Sequence, residues 1–364
     1  MAAKTVVVVL FGGRSSEHSI SCATAGGVLG AIDRSLFDVV PIGITRDGAF
    51  VLEIDDPARF TLDPTALPEV VDNGTRVHWP QRVGDRELTV TLTDGSTVSL
   101  GAIDVVFPIL HGRFGEDGTI QGLLELADLP YVGSGVLASA VGMDKHFTKT
   151  VLEHAGLPVA PWIRLTRADY STSPSAVNAE VLALGLPVFV KPARAGSSVG
   201  VSKVSELSEL SAAIEAAFAE DHTLLIETTI VGREVELGVL EGHGGAEPRA
   251  SVAGEIVVTG RDFYDFEAKY LDAPGIELVC PTALPDGALA QMQSLAVRAF
   301  TAIGAAGLAR VDFFLTDSGF VINEVNTMPG FTPISMFPKC WQASGLSYSE
   351  LITELITLGR GTAR

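Results

Sequence analysis

The stretch VFVKPARAGSSVGVSKV, Val188–Val204, decides how this chain is read. It joins a lysine and a Gly-Ser-Ser-Val-Gly run to two apolar, β-branched flanks. A lysine beside successive exposed amides is suited to binding an anion. In a P-loop, however, the glycines come first and Gly-Lys-Ser/Thr closes the loop onto a helix. Here Lys191 precedes the glycines, and Val201–Val204 returns to strand. That order predicts a β-hairpin, with Lys191 delivered by its first strand and the amides of Gly196, Ser197 and Ser198 in its turn.

Around this segment the chain has 364 residues, more than the ~250–300 at which a single core stops growing, so two or three domains are expected. Hydrophobic residues make up 47%, enough to bury a large core. The 44 acidic and 25 basic residues leave a formal charge of -19, which argues against nucleic acid as a partner, because phosphate backbones require clustered Lys and Arg. Any phosphate must be held by a local site. The apolar run Val6–Phe11 is too short to span a membrane, and Met1–Lys4 lacks the basic start of a signal peptide, so a cytoplasmic protein without membrane partners is expected. Cys22, Cys280 and Cys340 are widely spaced, which reads as reduced, structural cysteine.

Along the chain, VVVVLF, a Gly-Gly turn, a helical pattern over 15–31 and FDVVPIGI open an α/β sheet. A polar interval with weak strands runs to about Leu100, and DVVFPILHG is a further buried strand. Residues 136–156 read as helix. Residues 205–219 read as an amphipathic helix, with Leu207, Leu210, Ile214 and Phe218 at spacings of three and four. Strand patterns dominate from Glu234 to a helix at 288–303, and a last helix spans 348–358. The expected division is three α/β or α+β domains: 1–133, 134–231 and 232–364.

The sharpest constellation is RVDFFLTDSGFVINEVN, 310–326. Two strand patterns flank Asp317-Ser318-Gly319, read as a three-residue hairpin loop that sets Asp312 opposite Glu324. Side-chain alternation puts Glu324 and Asn326 on one face, and Arg310 with Asp312 on one face. Three oxygen-bearing side chains, Asp312, Glu324 and Asn326, then converge as Mg²⁺ requires. A solvated edge hairpin is the plainer alternative, and the strongly apolar flanks argue against it. Lys145 and Lys191 are candidate phosphate cations. His111 lies where a buried strand exits into a loop, the place α/β sheets put ligands, and Glu17 is either an ordinary first-turn acid favoured by the helix dipole or a candidate to bind a substrate ammonium. Asp117 is read only as a helix cap. Gly133-Ser134-Gly135-Val136-Leu137-Ala138 fits a dinucleotide pattern but lacks its acidic partner ~20 residues on, and Ser197 and Ser335 lack a G-x-S-x-G context. A nicotinamide oxidoreductase and a serine hydrolase are therefore set aside.

With Lys191 ahead of a Gly-Ser loop and Asp, Glu and Asn on a late hairpin, the chain resembles the ATP-grasp superfamily. Within that superfamily it is similar to the D-alanine-D-alanine ligases nearly end to end. The motifs are FGGRSSEHSIS, LHGRFGEDGTIQG, GMDKHFTK, VKPARAGSSVGVS, FYDFEAKYLD and GLARVDFFLTDSGFVINEVNTMPGFTPISMFP. The resemblance implies a three-domain ATP-grasp fold with an N-terminal Rossmann-like domain, and a homodimer in peptidoglycan synthesis. It implies ATP and two Mg²⁺ ions, with Mn²⁺ as a substitute and a monovalent cation alongside.

By the same resemblance, Lys145 and Lys191 hold ATP phosphates under the Gly196, Ser197 and Ser198 loop, which acts as a closing lid. Glu227, Thr228, Thr229 and Ile230 form the adenine hinge, Glu234 takes the ribose, and Asn323 and Glu324 lie at the nucleotide. Asp312, Glu324 and Asn326 hold the metals. Arg310 and the Gly330 amide face the oxyanion, Glu17 holds the first D-alanine and His111 lies beside it. Lys269 serves the phosphoryl group or the second carboxylate, which Ser335 and Met336 fix. Glu267–Tyr270 keeps E-A-K-Y, from which the D-lactate-using ligases depart, and Tyr270 would bond Ser197 and Glu17. A D-lactate ligase, another carboxylate-amine ligase, or a non-catalytic ATP-binding protein are the alternatives.

Overall fold

The computed structural model describes residues 3–63, 65–196, 199–258 and 275–361; Ser197, Ser198, Lys269 and Tyr270 lie outside the described residues. The N-terminal sheet holds β1 (Thr5–Gly12), β2 (Phe37–Ile44), β3 (Phe50–Leu52) and, after three short strands, β7 (Val105–Ile109). Their order is β3-β2-β1-β7, and β1 runs parallel to both β2 and β7. A continuous apolar run suits such a strand because both its faces are covered. Val7, Val9 and Phe11 enter one core with α1 (His18–Ala31), while Val8 and Leu10 enter another with α2 (Thr119–Leu126).

The polar interval before Leu100 is a small antiparallel sheet of β4 (Arg76–His78), β5 (Glu87–Thr91) and β6 (Thr97–Ala102). Val77, Leu88 and Val90 add its inner face to the second of these cores. Just before it, the Val70 amide donates to His18 Nε2 at 3.0 Å, while His18 Nδ1 bonds the Gly13 carbonyl at 2.6 Å. Burial lowers the His18 pKa, so the ring is neutral and bridges the two loops.

The helical pattern over 136–156 is two helices, α3 (Val136–Met143) and α4 (Lys145–His154). Asp144 breaks it, because its extended backbone lets the carboxylate cap the amides of His146 and Phe147. The central sheet has the order β10-β9-β11-β8, from β8 (Trp162–Thr166), β9 (Val188–Pro192), β10 (Ser202–Val204) and β11 (Thr223–Thr228). β9 and β10 pair antiparallel, Ser202 against Val190, so the lysine-first segment is the expected hairpin. Between β8 and β9 run α5 (Arg167–Thr172) and α6 (Pro174–Leu184). Val188, Val190, Leu224 and Ile226 pack on α6 and on α7 (Leu210–Glu220). Alternation turns Phe189, Lys191 and Glu227 to the opposite face.

The C-terminal sheet comprises β12 (Arg233–Leu240), β13 (Arg249–Ala250), β14 (Gly254–Val258), β15 (Ile276–Val279), β16 (Leu308–Thr316) and β17 (Gly319–Asn326). Its main path is β15-β14-β12-β16-β17. Val235, Leu237, Val311 and Phe313 face α8 (Ala288–Ala302), and α3 and α4 pack into the same core. The other face carries Glu234, Glu236 and Gly238 of β12 opposite Phe314, Asp312 and Arg310 of β16. Two helices close the chain, α9 (Met336–Ala343) and α10 (Tyr348–Gly361); Leu351, Ile352 and Leu355 of α10 pack back into the core under β1. Helix α9 has no strong sequence signal, since it contains Pro338 and follows a Pro-rich loop.

The β16–β17 hairpin differs in detail from its expected form. Thr316 pairs with Gly319, leaving a two-residue turn, and a register shift between Asp312 and Phe313 leaves Asn323 extra. The shorter turn and the bulge offset each other, so Asp312 still pairs with Glu324 and Arg310 with Asn326.

Gly238 explains how α9 lies flat on this sheet. A Cβ there would stand 2.5 Å from Trp341 Nε1 and 2.9 Å from two Phe337 ring carbons, and both rings are buried. Gly238→Ala is therefore expected to lower stability by about 1–3 kcal/mol through overpacking. Thermal or urea unfolding checks this, and an unchanged midpoint would mean that α9 is free to shift.

Candidate active site

The three large sheets turn their polar faces toward one cleft of about 720 Å³. Glu17 and His111 reach it from the N-terminal sheet, and Lys145, Lys191 and Gly196 from α4 and the central hairpin. Glu234, Arg310, Asp312, Asn323, Glu324 and Asn326 line it from the C-terminal sheet, and Gly330, Ser335 and Met336 from the loop leading into α9. Glu227, Thr228, Thr229 and Ile230 are not part of this wall.

Glu227 has another task. Its carboxylate, 5% exposed, pairs with Lys149 Nζ at 2.8 Å and with Lys191 Nζ through the other oxygen. Burial alone would raise its pKa, but Lys191 and Lys149 outweigh burial and hold the carboxyl at about 2. Burial pushes the Lys149 ammonium down from its ordinary value despite the pairing. Lys149 is a residue that motif spacing alone does not single out. Its signal is position, one helical turn after Lys145 on α4. Lys145 Nζ itself donates to the Ala195 carbonyl at 2.7 Å, tying α4 to the hairpin turn. Beyond Glu227, the hydroxyls of Thr228 and Thr229 are buried with no hydrogen-bond partner among the described residues.

On the C-terminal sheet, Arg310 forks onto Asp312, Nε to Oδ1 at 2.6 Å and the second guanidinium nitrogen to Oδ2 at 2.7 Å. Its Nε also lies 2.9 Å from Glu236 Oε2, and the Asn326 amide donates to Asp312 Oδ2 at 3.0 Å. Burial works against the Arg310 charge, but Asp312 and Glu236 outweigh it and hold its pKa well above the ordinary value. Glu236 is absent from the sequence-based candidates; its signal is the acid–apolar alternation of REVEL, which puts Glu234 and Glu236 on one strand face.

Glu17, 7% exposed, stands where α1 begins. A Cβ on Gly112 or Gly196 would lie 2.6 or 2.8 Å from its Oε2, so two loops of bare backbone press on this carboxylate. His111 bonds the Met328 carbonyl through Nδ1 and Thr24 Oγ1 through Nε2, each at 3.2 Å. Burial lowers its pKa, so the ring is neutral and joins the first sheet to the loop before Gly330. Glu116, absent from the sequence-based candidates, also lines the cleft and accepts the Gly112 amide. Removal from water, with the Glu17 charge adding to it, raises its pKa to about 8. At the far end, Ser335 Oγ accepts the Thr332 amide at 3.1 Å and caps no amide of α9, leaving the helix start open to the cleft.

The donor set fits a nucleotide with a hard divalent cation. Among the described residues no three His, Cys, Asp or Glu side chains gather at ligand distance. Asp312, Glu324 and Asn326 instead supply two carboxylates and an amide in register, the partial oxygen set that Mg²⁺ completes with phosphate oxygens and water.

Two family models match the chain, "D-ala D-ala ligase N-terminus" over residues 6–134 and "D-ala D-ala ligase C-terminus" over 151–357. A D-alanine–D-alanine ligase of Arthrobacter sp. (strain FB24) is 56% identical over 359 residues, covering 98% of this chain and 94% of the relative. The solved D-alanine-D-alanine ligase from Coxiella burnetii superposes with a TM-score of 0.82 at 36% identity, over 99% of this chain and 94% of its own. The VanG D-Ala:D-Ser ligase from Enterococcus faecalis does so with a TM-score of 0.82 at 35% identity, over 98% and 100%.

The Lys149–Glu227–Lys191 cluster predicts an acid limb of stability. Because the folded-state pKa of Glu227 lies near 2, below its ordinary 4.5, its contribution is complete above about pH 4.5 and is lost as pH falls through 2. Glu227→Gln should cost about 3–5 kcal/mol at pH 7, since two ammonium groups lose their counter-charge. The melting-temperature gap between wild type and variant should then narrow between pH 4.5 and 2. A gap that stays constant with pH would contradict the pairing.

Proposed function

The chain belongs to the D-alanine-D-alanine ligase family, and we propose that it joins two D-alanines in an ATP-dependent reaction that yields D-alanyl-D-alanine, ADP and phosphate for peptidoglycan synthesis. The observation that carries this reading is the meeting of lysines, hard oxygen donors and an open helix start in one cleft between three sheets. The carboxylate of the first D-alanine takes the γ-phosphoryl group, giving a D-alanyl phosphate. The amine of the second D-alanine then attacks the acyl carbon of that phosphate and gives up a proton, and phosphate leaves as the peptide bond forms.

Each residue has a place in this sequence of steps. Lys145 and Lys191 take the nucleotide phosphates, with the Gly196, Ser197 and Ser198 amides over them. Lys149 acts through Glu227, which holds Lys191 in position. Although residues 227–230 do not line the cleft and lysines claim the Glu227 carboxylate, the backbone of Glu227–Ile230 is the segment proposed to border the base; Glu234 takes the ribose, and Asn323 lies by the phosphates. Asp312, Glu324 and Asn326 hold two Mg²⁺ ions, which when bound neutralise charge on the transferring phosphoryl group. Glu17 binds the ammonium of the first D-alanine, while neutral His111 fixes the loop that carries Gly330. Arg310 and the Gly330 amide are fixed donors for the tetrahedral oxyanion. The second carboxylate docks at Ser335 and the Met336 amide, where a helix start favours an anion. Lys269 and Tyr270 keep the parts that their motif implies.

A division into domains 1–133, 134–231 and 232–364 follows the three sheets, although α3 and α4 pack on the C-terminal one and α10 on the N-terminal one. The enzyme works as a homodimer in the cytoplasm; among the described residues no helix is long and apolar enough to cross a membrane.

The reading is tested by ADP and phosphate release with Mg²⁺ and ATP against D-alanine, L-alanine, D-lactate and D-serine. Turnover is expected with D-alanine alone as amino acid, and its absence would overturn the assignment. Glu324→Gln should cut turnover on the order of 10²-fold or more by removing a metal ligand. The melting temperature without nucleotide should hardly move; a collapse of the fold would instead make Glu324 a structural residue.

A further inference from the structure

Cys280 and Cys340 are 60 residues apart in sequence, and their sulfurs lie 3.5 Å from each other. Cys280 directly follows β15, and Cys340 sits in the middle of α9. The two elements meet because α9 packs across β12 and β14, where the Ser344 hydroxyl also accepts the Val252 amide at 2.9 Å. Cys280 is half-buried and within reach of solvent, whereas Cys340 is wholly buried. The contact with Cys340 lowers the Cys280 pKa, and Lys339 adds to the effect. The pair thus sets a partly accessible sulfur, shifted toward its thiolate, 3.5 Å from an enclosed one. Cys22 differs in kind: it is buried in α1, and burial pushes its thiol up to about 12.

We propose that Cys280 and Cys340 form a dithiol modification site, oxidised by a peroxide to an intramolecular disulfide that ties the end of β15 to α9. The Cys280 thiolate attacks one peroxide oxygen, breaking the O–O bond, and becomes a sulfenic acid as the other oxygen leaves as hydroxide. The Cys340 sulfur then attacks the Cys280 sulfur, forming the S–S bond; its proton goes to the departing oxygen, which leaves as water. The sulfurs must close from 3.5 Å to ~2.05 Å. The bond would join two parts of the cleft wall, since Leu278 of β15 and Met336 of α9 both line it.

The test uses the full chain, hydrogen peroxide and thiol labelling under denaturing conditions with intact-mass measurement. Wild type should lose two of its three titratable thiols and about 2 Da, reversibly with a dithiol reductant, and peptide mapping should find Cys280 joined to Cys340. Cys280→Ser, at the half-buried position, should keep both remaining thiols and show no loss of about 2 Da. Cys340→Ser, which leaves the thiolate with no partner, should gain oxygen on Cys280 instead. Retention of all three thiols in wild type, or a linkage through Cys22, would overturn the proposal. It stands independently of whether the enzyme turns over D-alanine.

Discussion

Arg310 is the group around which the cleft is organised. Its guanidinium, 18% exposed, sits between Glu236 on β12 and Asp312 on its own strand, with Asn326 of β17 bonded to the same carboxylate. A partly desolvated cation with two carboxylates beside it leaves little freedom, because moving any one member strands a charge in a poorly solvated place. Three strands are thereby locked in register at the cleft face, and the planar fork of arginine does what a lysine could not. The carboxylates are held in position by protein contacts before any cation arrives.

A second ionic cluster serves the opposite wall. Lys149, Glu227 and Lys191 join α4 to β9 and β11, and Lys145 joins α4 to the hairpin turn. On a chain with a formal charge of -19, the cations Lys145, Lys149, Lys191 and Arg310 are gathered in or just behind one cleft. The same cleft also carries Glu17, Glu234, Glu236, Asp312 and Glu324, so an anionic ligand meets individually placed cations there and not a net positive field.

The walls themselves depend on helices that pack far from their neighbours in sequence. Helix α10 lies under β1, at the opposite end of the chain, and α3 and α4 join the core of the C-terminal sheet. His111 bonds the Met328 carbonyl across 217 residues, and Gly196 of the hairpin turn lies against Glu17 of the first helix. These contacts, more than any one strand, place the loop before Gly330 and the start of α9 where Glu17 and Arg310 also point.

Elements with strong local chemistry are legible from the residues alone. The apolar run of β1 reads as strand, the strand patterns on both sides of the Lys191 loop read as a hairpin, and alternation puts Arg310 and Asp312 on one face. Reading 310–326 as a hairpin also brings Asp312 opposite Glu324, although the path differs: a shorter turn and a bulge at Asn323 together restore the register that a longer turn alone would have given. Whatever depends on burial and on distant partners emerges only from the packing. Lys149, Glu236 and Glu116 look like ordinary surface charges in sequence, and only the packing that removes them from water gives them paired partners or a raised pKa. Glu227 shows the same limit, since no local pattern reveals that two lysines will claim its carboxylate. Side-chain periodicity is set within a few residues of chain, whereas desolvation and ion pairing are set by whatever the fold brings alongside.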